Sequence, residues 1–419
     1  MTDDLPPVPA PDPGPEDAAP GAQPDPGYEY GERQIEDMSE VSFRVGEGRI
    51  SGYVSIFLGA LSVLSVLAYR YPTYLTTAEL RASYDGEQLR LFLLAGMVFA
   101  VSFGLLTFAL KRCKRMGALG VLLVVLAYVL GGWNVELGEI RHTQLSLGVD
   151  WFVLDLLAST ILFVFIEKVI PRYPEQAVLR PEWQLDLGYF ALNHLLIAFL
   201  IVIANGFAPA AFGWAVNEGF QGWIRGLPLL GQVLILALCA DFVLYWTHRA
   251  FHEFPRLWPF HAVHHSAEHM DWLAGSRTHL VQTLVDRTLV MVPLYLLGTS
   301  EQALNLYVVL AAAQAVFTHA NVGIPTGPLK YVFVTPQFHH WHHSSDQPAI
   351  DTNYAVHFPL FDRLFGTYHM PDQHWPIEYG TTKRLPRTFW SQLLHPFRQQ
   401  AVITAAQAEA EAQSPSQSG

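Results

Sequence analysis

The chain has 419 residues, half of them hydrophobic and only 15% charged. That balance, with a positive mean hydropathy, excludes an ordinary soluble enzyme and points to a bilayer. Of the net charge of −12, −9 lies in residues 1–49, where twelve Asp/Glu face three Arg; the rest is near neutral and has no basic stripe for nucleic acid.

In chain order, residues 1–49 are rich in Pro, Asp, Gly and Ala and cannot bury enough apolar surface to offset their ordering entropy. They are expected to be a disordered acidic tail, and they lack the basic start and apolar stretch of a signal peptide. Apolar runs then follow at about 50–69, 91–110, 117–133, 151–166, 187–204 and 227–246. A spanning helix needs roughly 20 residues, so the runs at 117 and 151 are marginal by length. Lys111, Arg112, Lys114 and Arg115 join the second and third runs, and Lys168, Arg172 and Arg180 follow the fourth. The excess of Lys and Arg on cytoplasmic loops places both loops inside, and with them the end of the sixth run. A further apolar region, 289–317, is interrupted at Gly298, Thr299, Ser300 and Glu301. It reads as a hairpin of two short helices, re-entrant or crossing twice. The end of the chain, 386–419, is expected to be a low-complexity tail.

The fold class expected is all-α: a polytopic helical bundle in the membrane, with a histidine-rich helical cap on its cytoplasmic face. Of 18 histidines, twelve lie between His248 and His343. His248 and His252 are four residues apart, one turn on one helix face. Asp241 lies on that face too, where a carboxylate could fix an imidazole tautomer. "FHAVHHS" then brings His261, His264 and His265, and "FHHWHHS" brings His339, His342 and His343. On a helix the three imidazoles of each motif can converge. His340 falls on a spacer position. His279 and His319 stand beside the cluster as further candidate ligands.

Neutral imidazole is a strong ligand for first-row transition metals. One ion takes four to six donors, so eight to ten histidines suit two ions. Without metal, so many buried ring nitrogens would be costly to satisfy. Imidazole alone does not choose iron over zinc. A dizinc membrane hydrolase, and a non-catalytic metal transporter or sensor, remain the alternatives.

The segments "DFVLYWTHRAFH", "WPFHAVHHSAEHMDW", "FTHANV", "TPQFHHWHHS" and "DTNYAVHFPLFDRLFGTYHMP", spread over 241–371, resemble the fatty acid hydroxylase/sterol desaturase superfamily. The resemblance implies a non-haem di-iron centre that uses O2 to hydroxylate or desaturate an unactivated C–H of a fatty acyl, sterol or related lipid. By position, the ligands it implies are His248, His252, His261, His264, His265, His279, His319, His339, His342 and His343. Asp351, Asn353 and Tyr354 would support them. The sequence departs from the family pattern at Leu280, where proline often follows the histidine.

The domains expected are the tail 1–49, additional transmembrane helices 50–184, the histidine-box domain 185–385 and the tail 386–419. The compartment expected is a bacterial inner membrane. No fused redox module is recognisable, and two isolated cysteines, Cys113 and Cys239, exclude a four-cysteine cluster. A separate electron donor is therefore expected: a ferredoxin, flavoprotein or small cytochrome.

Overall fold

The computed structural model describes residues 48–413, apart from 82, 84, 111–112, 142–145, 326 and 372–373. The acidic tail expected over 1–49 falls almost wholly outside the described residues, as do Lys111 and Arg112. Among the described residues there are helices, two isolated bridges and no strand.

Three long helices come first: α1 (Arg49–Arg70), α2 (Gly86–Ala109) and α3 (Lys114–Val129). They pack on one another as a bundle. The buried face of α1 carries Ser51, Gly52, Ser55, Gly59, Ser62, Val66 and Tyr69, and that of α3 carries Gly117, Gly120, Val124 and Ala127. Small residues at helical spacing let backbones approach closely, which is how helices associate where the hydrophobic effect gives no preference. A Cβ on Gly59 would sit 2.7 Å from the Gly120 carbonyl oxygen, and one on Gly120 would collide with Ser55.

The second half contains α4 (Val149–Val169), α5 (Trp183–Phe212), the short α6 (Glu218–Arg225) and α7 (Leu229–Glu253). α8 (Trp258–His265) precedes the hairpin of α9 (Leu280–Leu297) and α10 (Glu301–His319). The short α11 (Pro336–His342) and α12 (Leu360–Phe365) and the long α13 (Phe389–Gln413) complete it. α1, α2, α4, α7 and α9 are each long and apolar enough to cross a membrane.

At the tip of the α9–α10 hairpin, Gly298 closes α9 with φ +54°, and the Ser300 hydroxyl caps α10. The Ser300 amide donates to Gln232 at the start of α7, and Arg225 donates to the Gly298 carbonyl. The hairpin therefore runs the length of α7 rather than turning back partway. The far end of α7 bears His248 and His252, and there α8, α11 and α12 gather.

The C-terminal region is not wholly a low-complexity tail. α13 packs on α8 and α5, and its Gln392 is buried and donates to Ser266. The alanine- and glutamate-rich composition of its distal part hid the apolar first turns, where Phe389 lies on Tyr189 and Phe397 on Phe260.

Candidate metal centre

The short helices α8 and α11, the latter with its C-cap His343, present six of the imidazoles. Each begins with a proline in its first turn, which is preset for a helix start. Thr335 caps α11 by accepting from the Phe338 amide. α8 is buried from Pro259 onward and α11 along its whole length.

The structure gathers nine of the ten predicted histidines into two groups. His248, His252, His261, His265 and His342 form one; His264, His319, His339 and His343 form the other. Within each group the candidate ligand nitrogens all lie within 4.8 Å of one another. Each seven-residue motif does not converge on one point but straddles both groups. The second and sixth positions of "FHAVHHS", His261 and His265, face the five-histidine group, while the fifth, His264, faces the other. In "FHHWHHS" the roles are exchanged: His339 and His343 face the four-histidine group and His342 the other. At 3.6 residues per turn, positions i and i+4 are about 40° apart around the axis, whereas i+3 lies about 100° from i+4.

Six of the nine outward ring nitrogens are anchored, whereas His343 Nδ1 is buried with no partner. His248 Nδ1 donates to the Tyr354 carbonyl at 2.7 Å, His342 Nδ1 to the Thr352 carbonyl at 2.8 Å and His261 Nδ1 to Gln282 at 2.8 Å. His252 Nδ1 lies 3.1 Å from the Asp351 carboxylate. In the other group His264 Nδ1 donates to the Arg277 carbonyl at 3.1 Å and His319 Nδ1 to the Ala315 carbonyl at 2.7 Å. A carbonyl can only accept, so Nδ1 carries the proton in these neutral rings and Nε2 is a bare lone pair. Yet His248 Nε2 is 2.9 Å from His261 Nε2, and His264 Nε2 is 3.1 Å from His319 Nε2. No hydrogen bond can join two lone pairs; a cation between them can. His252 Nε2 is likewise buried with no partner. The donor set fits a pair of metal ions.

Burial and neighbouring imidazoles push His261, His264, His265, His339, His342 and His343 well below the ordinary histidine range. They are neutral at physiological pH, the state a metal requires.

His279 is not brought into either group. Its Nδ1 accepts from the Val281 amide, capping α9, and its Nε2 donates to the Leu393 carbonyl of α13. Both nitrogens are committed to holding helices. Asp241 does not touch a histidine of either group. Its carboxylate accepts from the amides of Val356, His357 and Phe358, anchoring the segment that ends the Tyr354 loop. Asp351 does contact His252. Asn353 holds the loop from within, accepting from the His369 amide and donating to the Phe338 and His369 carbonyls. Asp351 and Asn353 have φ +58° and +59°, and this left-handed pair flanks Thr352, whose carbonyl meets His342. His340 stays outside both groups, with its Nδ1 at the Tyr379 hydroxyl and its Nε2 at the His319 carbonyl.

Gln282 and the carbonyls of Thr352, Arg277 and Ala315 escaped the sequence reading. Backbone acceptors carry no sequence signal. Arg277 could have been noticed as a lone cation between two apolar stretches.

The chain matches the fatty acid hydroxylase family over residues 233–367. It is 30% identical over 250 residues to ornithine lipid hydroxylase OlsE of Rhizobium tropici, covering 59% of this chain and 76% of that protein. It is 30% identical over 145 residues to alkylglycerol monooxygenase of Homo sapiens, covering 35% of this chain and 32% of that protein. A third relative, very-long-chain aldehyde decarbonylase GL1-11 of Oryza sativa subsp. japonica, is 30% identical over 156 residues, 35% of this chain and 58% of that protein. No solved structure matches.

Proposed function

The chain belongs to the fatty acid hydroxylase family, and we propose on that basis that it is a non-haem di-iron, O2-dependent hydroxylase of a polar-headed membrane lipid. Its family and relatives make it an integral multi-pass membrane protein and a lipid oxygenase. The observation that carries the two-ion reading is the approach of bare Nε2 lone pairs within each histidine group.

Iron is supported over zinc by the family and the relatives: hydroxylating an unactivated C–H bond needs a redox-active ion, and zinc has no redox chemistry.

Two irons held by these nine histidines would supply O2 activation at an unactivated C–H bond. The balance is R–H + O2 + 2 e⁻ + 2 H⁺ → R–OH + H2O. The chain's own residues do the rest. Carbonyls of Tyr354, Thr352, Arg277 and Ala315 fix the imidazole tautomers, and burial excludes water. Asp351, half exposed, links His252 to solvent. Hydroxylation is favoured over desaturation because two of the relatives are named for a hydroxylase and a monooxygenase. An ornithine lipid or an alkylglycerol, the lipids in those names, exemplifies the substrate class.

We place the histidine groups on the cytoplasmic side of a bacterial inner membrane. The basic loop after α4 supports this, because it lies at the histidine end: Arg180 pairs with Asp271, and Arg172 donates to the Asn321 carbonyl. A ferredoxin, flavoprotein or small cytochrome would supply electrons there.

Metal analysis of protein purified anaerobically should find two irons per chain. Lipid, O2 and a nicotinamide cofactor alone should give no product, and an added reductase system should restore it. Two zincs, ester or amide hydrolysis and no O2 uptake would replace this reading with a dizinc hydrolase.

A further inference from the structure

Behind the four-histidine group lies a buried ionic lattice that makes no contact with the candidate ligand nitrogens. Asp186 on α5 receives Arg277 Nε at 2.5 Å and Arg180 Nη2 at 2.6 Å. Arg180 also meets Asp271 at 2.8 Å, and Arg277 Nη1 meets Glu182 at 3.0 Å. Arg277 Nη1 donates at 3.2 Å to Ser266, the serine that ends the first histidine motif, and Gln392 of α13 donates to the same hydroxyl. Arg180, Asp186, Asp271 and Arg277 are all at most 3% exposed.

Such a lattice is an uneconomical way to stabilise a fold. Desolvating the charges offsets most of their attraction, and well-packed apolar groups often do as well. What it provides is direction, because a guanidinium fork bonded on several sides cannot slide. The segment it fixes is the turn 271–277. Asp271 caps that turn by accepting from the Leu273 and Ala274 amides. At its end, the Arg277 carbonyl takes the Nδ1 proton of His264. In its middle, Gly275 presses on His319 so closely that a Cβ would lie 2.9 Å from Nδ1. One turn thus abuts two of the four histidines. The other group is anchored differently, by the 351–354 loop and Gln282.

We propose that Arg277 is a positioning residue for the four-histidine group alone: by locking the turn 271–277 it sets the orientation of His264 and His319. This rests on the dinuclear reading above.

The test titrates the full chain in detergent, stripped of metal, with Co²⁺, following the visible absorption of each binding phase. His264→Ala identifies the phase that belongs to the four-histidine group. Arg277→Lys keeps the charge but loses the fork, and Gly275→Ala adds the Cβ against His319 while leaving the ion pairs in place. Both should weaken that phase by about 10–100-fold, the usual cost of losing a partner behind a ligand, and leave the other phase at its wild-type affinity. Should the lysine variant fail to fold, the alanine variant decides. Equal weakening of both phases, or wild-type binding in both, overturns the proposal while leaving two ions in place. A wild-type chain that binds one Co²⁺ or none overturns the dinuclear reading and this inference with it.

Discussion

The α1–α3 bundle and the histidine half share one membrane but cohere by different physics. In the bundle the buried polar groups are hydroxyls bonded close at hand: Ser51 to Thr107 at 2.7 Å, Ser55 to the Ala100 carbonyl at 2.7 Å. Its helices meet through glycine and serine, backbone against backbone. The histidine half buries Arg180, Arg277, Asp186, Asp241 and Asp362 beside the candidate ligands. Close packing needs only small side chains and tolerates sliding along a groove. A site that must hold ring nitrogens to a few tenths of an ångström needs directional bonds, and this chain places them at one end of α7.

The sharpest break between the regions should come from the histidines. His264→Ala or His343→Ala should abolish turnover and remove metal from one group, while membrane insertion and the α1–α3 bundle stay intact. Metal per chain and protease accessibility measure the two separately. Retention of both metal and turnover in either variant would falsify the ligand assignment.

Acid should weaken the histidine half next. Unfolded imidazoles take up protons as pH falls through about 6.5. In the folded chain burial keeps His261, His264, His265, His339, His342 and His343 neutral well below that. Below about 6.5 the unfolded state binds more protons, so stability declines from pH 7 to 5 and is flat above about 7.5. Metal-free protein should melt lower at pH 5 than at pH 7.5. An unchanged melting temperature would mean that these rings protonate without unfolding.

Gly120→Leu probes the bundle. Overpacking against Ser55 should cost about 1–3 kcal/mol and loosen α1 from α3 without changing metal content. A parallel loss of metal would show the two regions to be coupled.

The smallest effects concern histidines outside the groups. His279→Ala should keep both metals and cost about 1 kcal/mol, as for loss of a helix cap, read as a lower melting temperature. His395→Ala should be silent in metal content and turnover. Loss of metal in the first variant would return His279 to the ligand set.

The apolar runs at 50–69, 91–110, 151–166 and 227–246 foretold α1, α2, α4 and α7 to within a few residues, or one turn or two at some ends. Long hydrophobicity is a local property, and in lipid it leaves the backbone little choice but helix. The histidine spacing marked eight of the nine imidazoles that gather, because helical periodicity is local too, but it did not foretell that each motif divides between two groups. The start of α9 was not legible, since residues from Leu280 onward mix Gln282, Thr283, Asp286 and Arg287 into an apolar stretch.

Sequence by itself determined that this chain is helical, lies in a membrane and carries histidines in numbers that suit two ions. Tertiary structure alone decided how they divide: that each motif straddles both groups, that His279 caps a helix, and that Asp241 serves a loop rather than an imidazole. Those outcomes depend on which carbonyl meets which ring nitrogen across 10 to more than 100 residues of chain. Backbone acceptors are the same at every position, so no local pattern marks the ones that a fold will use.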